Sequence, residues 1–442
     1  MTKRGCLIGW VVVVASLAPR AVQAGAVLDW NSIALDVLRA EATHPPKVGR
    51  DLAIVHAAVF DAVNSVEGGY TPIVGLLSIP TGGVSLDAAV AAAAHDCLVS
   101  LYPAQQADLD QHLADVLAGI PAGTARDNGL VVGAAAAAAS LAWRANDGWD
   151  APSSYVPNPI PGHWRPTPPA YAPALAPQWG DVLPFGVADI QAHVPGPPPA
   201  LDSAEYAAAW QQVRDLGGTV SMIRTADQEQ IAEFWNDTPG RTAAPPGKWN
   251  LIAQTLAEQA GTDLAENARL FALLNISLAD VGVVAWRTKF TYDLWRPEDA
   301  IRLADTDGNP DTDAQVDWEP LWPSPPFPEY VSGHSTFSGA GSTLLALFFG
   351  TDDIAFTIPA GWDVLPGVTR SYASLSEAAE EAGMSRIYGG IHFSFSDVAG
   401  RAAGGAIASE VFENVAVPEP AAAALLCMGA ATLLPRRRRR AR

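Results

Sequence analysis

Trp322–Gly341 reads WPSPPFPEYVSGHSTFSGAG, with Ser332-Gly333-His334 at its centre. Its four prolines hold the approach extended, because each fixes φ and removes a backbone donor. Beyond His334 the chain turns into small residues and then an apolar run ending Leu344-Leu345-Ala346-Leu347-Phe348-Phe349. That pattern predicts a loop followed by a buried helix starting near His334. Such a helix start carries unpaired N–H groups and the positive end of a dipole, a natural place for an anion. Gly333 lets the backbone approach an oxyanion, Ser332 adds a hydroxyl, and His334 can move a proton. Taken alone, the triplet reads first as a Ser-Gly turn before a packed helix, with one capping histidine. Other segments decide between the two.

Composition narrows the choice. The chain has 442 residues, 49% hydrophobic and 17% charged, enough for one large globular domain or two modest ones. A net charge of −20 speaks against nucleic acid as a partner, and means that any anion site must be built from local cations. Of the three cysteines, Cys6 and Cys427 lie in terminal segments that read as addresses. Cys97 is then alone, with no internal disulfide and no cysteine-based metal cluster open to it.

Residues 1–24 have a basic start (Lys3, Arg4), an apolar centre at Val11–Leu17 and a small-residue site at Val22-Gln23-Ala24, the pattern of a secretory signal peptide. Residues 416–442 carry Val417-Pro418-Glu419-Pro420, an apolar stretch Ala421–Leu434 and arginines at 436–440. This order resembles the PEP-CTERM sorting tag of Gram-negative bacteria. The resemblance implies a short transmembrane helix, transient association with the inner membrane and processing by a sorting peptidase. A plain membrane anchor would lead to the same side of the membrane, with arginines inside. The working domain is expected at residues 25–415, exported to the periplasm, cell surface or extracellular matrix.

Between the ends the periodicity is helical. Helices are predicted at 31–42, 47–66, 85–101, 105–117 and 124–146, the last three rich in alanine, which favours helix and allows close approach. Residues 150–200 are proline-rich but carry Tyr155, Trp164, Tyr171, Trp179 and Phe185, so an ordered loop is expected there and not a linker. Helices resume at 203–216, 226–235, 249–261 and 262–288, and no strand alternation of useful length appears. The fold class is all-α: an N-terminal helical half (31–146), an excursion, and a C-terminal half (201–415). Asp305–Asp313, DTDGNPDTD, has alternating hard oxygens, but Pro310 occupies the glycine position of a calcium loop and no glutamate closes it. An acidic surface turn is the expectation.

Two further segments hold cations. Lys289 and Arg296 lie seven residues apart, two helical turns, so both can project from one face, with Pro297 ending or kinking that helix. Ser385-Arg386 and His392 are separated by a turn shaped by Gly389 and Gly390. Surface ion pairs and a satisfied core histidine are the plainer accounts of each segment. Taken together, three fixed cations, two histidines, a serine and a glycine N–H suit one tetrahedral or trigonal-bipyramidal oxyanion, phosphate or vanadate.

The motifs K-x6-R-P, S-G-H and S-R-x5-H, in this order, resemble the signature of the vanadium haloperoxidase and type-2 phosphatidic-acid phosphatase superfamily. The resemblance implies two four-helix-bundle-like halves. It implies that Lys289, Arg296, Ser332, Gly333 and Arg386 hydrogen-bond the equatorial oxygens of vanadate, that His392 bonds the metal, and that His334 is the acid–base. WRTKFTYDLWRP and PPFPEYVSGHSTF look closest to the chloroperoxidase branch, which implies that Trp286 and Phe327 line the halide position. Hydrogen peroxide and a halide would be the substrates and hypohalous acid the product. In the phosphatase alternative His392 attacks phosphorus and His334 protonates the leaving group. Phosphatases usually carry an aspartate four residues after that histidine; here Ser396 holds the position and Asp397 follows, turned by about 100° on a helix. Val331 also replaces the usual proline before the serine. A non-catalytic secreted surface or matrix protein is the third reading.

Overall fold

The computed structural model describes residues 25–78 and 80–419. The signal peptide read at 1–24 and all but the start of the sorting tag read at 416–442 lie outside the described residues.

Helix α9 (Leu264–Tyr292) is the axis of the molecule. Asp263 and Glu266 start it with a capping box: each side chain accepts from the other's backbone N–H at 2.9 Å. It is long and apolar enough to cross a membrane, yet 94% of its most apolar window is inside the protein. It is therefore a core helix, enclosed by α2 (Pro45–Glu67), α8 (Ala244–Ala260), α11 (Gly333–Phe349) and α13 (Ser394–Asn414). Among the described residues there are thirteen α-helices and one two-stranded hairpin. Ahead of α9 come α1 (Gly25–Ala40), α3 (Leu86–Leu101), α4 (Gln106–Ala118), α5 (Thr124–Trp143), α6 (Ala204–Gly217) and α7 (Ala226–Phe234). After it come α10 (Pro297–Arg302) and α12 (Leu375–Tyr388), with β1 (Phe356–Pro359) antiparallel to β2 (Thr369–Tyr372) between α11 and α12.

Small residues set the closest packing. On α5, Gly129 and Gly133 face Ala88 and Ala92 of α3 with no room for a Cβ. On the α11–α13 seam, a Cβ on Gly339 would enter the backbone of Arg401, and one on Gly404 the backbone of Thr336. The proline-rich excursion is ordered and tied to α9. Asp280, fully buried, accepts the N–H groups of Phe185, Gly186 and Val187 at 2.6–2.9 Å, and Arg287 Nε donates to Gly180 O at 2.8 Å. At the far end, Thr71 N donates to Val417 O and Glu419 N to Gly69 O, both at 2.9 Å.

Three expectations are corrected. Helix α8 starts five residues before Trp249, because Pro245 and Pro246 sit in its first turn, where a missing N–H costs nothing. Lys289 and Arg296 do not share a helix: α9 stops at Tyr292, Asp293 is left-handed (φ 52°), and Pro297 opens α10. Two four-residue strands exist where no alternation of useful length had been read. The Asp305–Asp313 stretch is a surface turn as expected, with Asp305, Asp311 and Asp313 exposed, and its inner side is pinned to the body. Asp307, Asn309 and Thr312 are buried, Asp307 accepts from Thr312 Oγ1 at 2.8 Å, and Asn309 Nδ2 donates to Leu201 O at 2.7 Å.

The seam makes a direct prediction. Gly339→Ala and Gly404→Ala are each expected to cost about 1–3 kcal/mol of stability by overpacking, read as a lower midpoint in urea unfolding.

Candidate active site

Four helix ends meet at one place. Lys289 is in the last turn of α9, Arg296 caps the start of α10 in an extended conformation, Ser332 caps α11, and Arg386 is in the last turn of α12. The chain then reverses through Gly389 and Gly390, the latter left-handed (φ 78°), which delivers His392 just before α13. Gly390 also lies directly on the Gly217 backbone, so no side chain fits there.

Lys289 and Arg296 are fully buried, and Arg386 and His392 are 3% exposed, so neither lysine nor arginine is a surface ion-pair residue. Lys289 Nζ donates to the carbonyls of Pro328 (2.9 Å), Glu329 (3.0 Å) and Val331 (2.5 Å), beneath the Phe327 ring. All three of its donors are thereby used, and it acts on the site as a charge. Arg296 donates to Phe327 O and Ile391 O, both at 2.9 Å, and through Nη1 to His392 Nε2 at 3.1 Å. Arg386 Nη1 donates to Trp235 O at 2.9 Å. Ser332 Oγ accepts from Ser335 N and Ser335 Oγ, which leaves its own hydroxyl hydrogen to donate elsewhere.

The unsatisfied atoms are informative. Arg296 Nη2, Arg386 Nε and His334 Nε2 are buried with no hydrogen-bond partner. Buried polar atoms are normally paired, so two orphaned guanidinium donors and an orphaned ring nitrogen in one cluster describe the outline of a missing ligand. Charge says the same. Lys289, Arg296, Arg386 and Lys248 are buried here against only two carboxylates, Glu329 and Asp237. Burial, with the neighbouring cations, pushes Lys289 well below its ordinary range, and burial lowers Arg296 to about 9 and Arg386 to about 10. An oxyanion bound here would reverse the strain.

Glu329 was missed by the reading of the sequence. It is fully buried and accepts from His392 Nδ1 at 2.8 Å, Phe393 N at 3.0 Å and Ser396 Oγ at 2.6 Å. Burial pushes its carboxyl up to about 7. The expectation that His392 lacks an orienting carboxylate is thus corrected: the group comes from the segment before Ser332 and not from the helix after His392. Asp397 does turn away, to Arg401 at 3.0 Å. Because a guanidinium only donates, Nε2 of His392 is the acceptor and Nδ1 carries the proton toward Glu329. Burial first, then Arg296 and Lys289, holds the imidazole well below its usual pKa. It is a neutral ring with its lone pair at Nε2, the state in which histidine binds a metal or attacks an electrophile. One clue was available in the sequence: three cations heading for the interior required a carboxylate, and Glu329 is the one acid in the proline stretch. Asp237, buried 3.7 Å from Lys248 Nζ, was missed too. Burial raises its pKa, with Lys248 and Arg386 opposing.

These groups border a cavity of about 590 Å³, lined on one side by Gly333, His334, Arg386 and His392. Trp286 and Phe327 also line it, ring centroids 5.0 Å apart. Lys289, Arg296 and Ser332 stand behind that surface. Burial, then Arg386, keeps His334 well below its ordinary pKa, so it meets the cavity as a base.

Residues 269–418 match the model of the second helical-bundle domain of VCPO. A crystal structure of a bacterial vanadium-dependent iodoperoxidase superposes with a TM-score of 0.79 at 27% identity, covering 90% of this chain and 98% of that one. Vanadium chloroperoxidase of Curvularia inaequalis is 25% identical over 500 residues, spanning 87% of this chain and 81% of that protein. Domain model, curated relative and structural neighbour all place this chain's similarity in the vanadium haloperoxidase superfamily. A holo-type bacterial vanadium-dependent chloroperoxidase (TM-score 0.67, 18% identity, 84% of this chain and 92% of that one) shares the fold. The all-α architecture read from the sequence is that of this superfamily.

The carboxylate on His392 can be tested without any ligand. Glu329→Ala strands the Nδ1–H and the Ser396 hydroxyl and is expected to cost about 1–3 kcal/mol in urea unfolding. It should also shift the ¹⁵N resonances of His392 toward a mixture of tautomers, with Glu329→Gln intermediate in both.

Proposed function

We propose that this chain is a vanadate-dependent haloperoxidase that oxidises halide with hydrogen peroxide to hypohalous acid. The observation that carries the proposal is a pair of orphaned donors, Arg296 Nη2 and Arg386 Nε, with the unpartnered ring nitrogen His334 Nε2, beside an imidazole whose lone pair is at Nε2. That donor set fits a vanadate ion. His392 Nε2 would hold the metal. Arg296, Arg386, the Ser332 hydroxyl and the Gly333 N–H would serve its oxygens, and Lys289 would add charge. When bound, vanadate supplies a Lewis acid that activates peroxide without changing oxidation state.

The chain's own residues do the rest. His334 Nε2, neutral because it is buried among cations, takes the proton from incoming hydrogen peroxide and returns it to the departing oxygen. The two arginines hold developing negative charge with donors that are already in place. The Trp286–Phe327 wall offers a weakly solvated halide an apolar seat with little competing water. Halide, peroxide and one proton leave as hypohalous acid and water.

The test is purified protein with orthovanadate, assayed for peroxide-dependent oxidation of iodide, bromide and chloride. Expected rates fall in that order, the order of increasing difficulty of oxidation. His392→Ala should lose halide oxidation and bind orthovanadate at least tenfold more weakly. Phe327→Ala should lower bromide and chloride oxidation more than iodide oxidation. Chloride or bromide peroxidase activity is the finer part of this proposal, and protein that oxidises iodide alone would reject that part while keeping the haloperoxidase reading.

Glu329 favours a second reading, acid phosphatase. It gives His392 the carboxylate a nucleophilic histidine needs, so that Nε2 attacks phosphorus and His334 protonates the leaving oxygen. Vanadate-free protein that hydrolyses an aryl phosphate, with orthovanadate as inhibitor and no halide oxidation, would establish that reading. Protein inert in both assays that binds no vanadate would leave a surface or matrix protein.

We also infer export, from the signal-peptide and sorting-tag patterns. A mature N-terminus at Gly25 in protein recovered from a Gram-negative host would support it, and a retained Met1 would reject it.

A further inference from the structure

The described chain leaves the fold at the end of the molecule away from the cavity. Arg269, near the start of α9, donates through Nε to Ala416 O at 3.1 Å, and its guanidinium lies over the rings of Tyr70 (4.9 Å) and Phe412 (5.4 Å). Glu419 N then donates to Gly69 O at 2.9 Å. Between Arg269 and Lys289 the helix rises about 30 Å, so this exit and the active site stand at opposite ends of α9. Beside the exit runs Thr71–Ser78, TPIVGLLS. The loop is held from beneath: buried Asp61 accepts the N–H groups of Ile73, Val74 and Gly75 at 2.7–3.3 Å, and Ser65 Oγ accepts from Leu77 N at 3.3 Å. Asn64 fixes its start, donating to Tyr70 O at 2.7 Å and accepting from Tyr70 N at 3.2 Å. On this rigid base Leu76 is 75% exposed, with Ile73, Val74 and Leu77 half-buried around it. Helix α11 ends at the same place: Phe348 lies 5.8 Å from the Arg269 guanidinium, and Leu347 is 39% exposed. A single exposed leucine is ordinary, but an apolar fringe built on a fixed loop marks a contact surface.

The sequence beyond the exit supplies the partner. Pro420 is followed by the apolar stretch Ala421–Leu434 and then by the arginines at 436–440. Glu419 is fixed on Gly69, and Ala421 comes two residues later, so at about 3.5 Å per residue the apolar stretch begins within about 7 Å of that anchor. As a helix a stretch of this length covers about 21 Å, against about 30 Å of hydrocarbon in a bilayer. So short a stretch on so short a tether leaves no slack, and the bilayer must come up to the folded body. We infer that the Thr71–Ser78 loop and the end of α11 rest on a lipid surface, with Leu76 in its interfacial layer and the cavity facing away from it. The inference rests on the sorting-tag reading of Ala421–Leu434 as a membrane-entering segment, and goes beyond it in naming the face that meets the lipid. Glu67, Glu413 and Glu419 are exposed around the exit, which suits a neutral lipid surface over an anionic one.

The test uses the full chain carrying Cys6→Ser, Cys427→Ser and Leu76→Cys, with a nitrobenzoxadiazole label at position 76. Cys97 is buried and stays unlabelled. The control carries Met222→Cys in place of Leu76→Cys. Met222 is 93% exposed and follows α6, whose Gly217 packs on Gly390 at the active-site end. Each protein is floated with vesicles of phosphatidylcholine and phosphatidylethanolamine that contain a nitroxide-labelled lipid. In the floated protein the label at 76 should shift to the blue and be quenched at least threefold more than the label at 222. A Gly-Ser insertion of about twenty residues between Glu419 and Pro420 adds about 25 Å of flexible reach, and should cut that quenching at least twofold while the protein still floats. Floated protein whose label at 76 is no more quenched than the label at 222 would overturn the inference and leave the membrane-entering segment standing. Quenching unchanged by the insertion would overturn the short tether as its cause. Protein that does not float would overturn the sorting-tag reading and the inference together.

Discussion

A carboxylate with no exposure to water, held between an imidazole, a hydroxyl and a backbone N–H, sits at the base of this protein's chemistry. Glu329 does more than orient His392. Its charge lies among Lys289, Arg296 and their neighbours, and a cluster of buried cations with no counter-charge would not be tolerated in the folded state. The carboxylate offsets part of that cost and leaves the rest uncompensated. The residual positive potential is what an incoming oxyanion meets, in a chain whose overall charge of −20 would otherwise repel it.

The architecture explains how so many ionic groups reach the interior. Each arrives at the end of a helix: the C-terminal turns of α9 and α12, the N-terminal caps of α10 and α11. Helix ends carry backbone groups that already need polar partners, so a charged side chain there solves a problem as well as creating one. Lys289 illustrates this, with three carbonyls of the Pro328–Val331 turn around its ammonium. Preorganisation of this kind is what lets fixed dipoles act on a reaction without rearranging during it.

The helices, and the clustering of Lys289, Arg296, Ser332, His334, Arg386 and His392, were legible because period and motif spacing are local properties. Three things were not. The break between Lys289 and Arg296 depends on Asp293 adopting a left-handed conformation, which no apolar pattern reports. The start of α8 was hidden by Pro245 and Pro246, which resemble a stop when read from inside a helix and a start when read from outside. Glu329 was overlooked because its role is set by a partner 63 positions away, and spacing rules follow single helices.

The glycine seam between α11 and α13 has a consequence for how this scaffold could change. Ser332 and His334 belong to one helix and His392 to the approach of the other, so the seam fixes the spacing between the two imidazoles as a spine fixes two ribs. Variation along that spine shifts both partners at once.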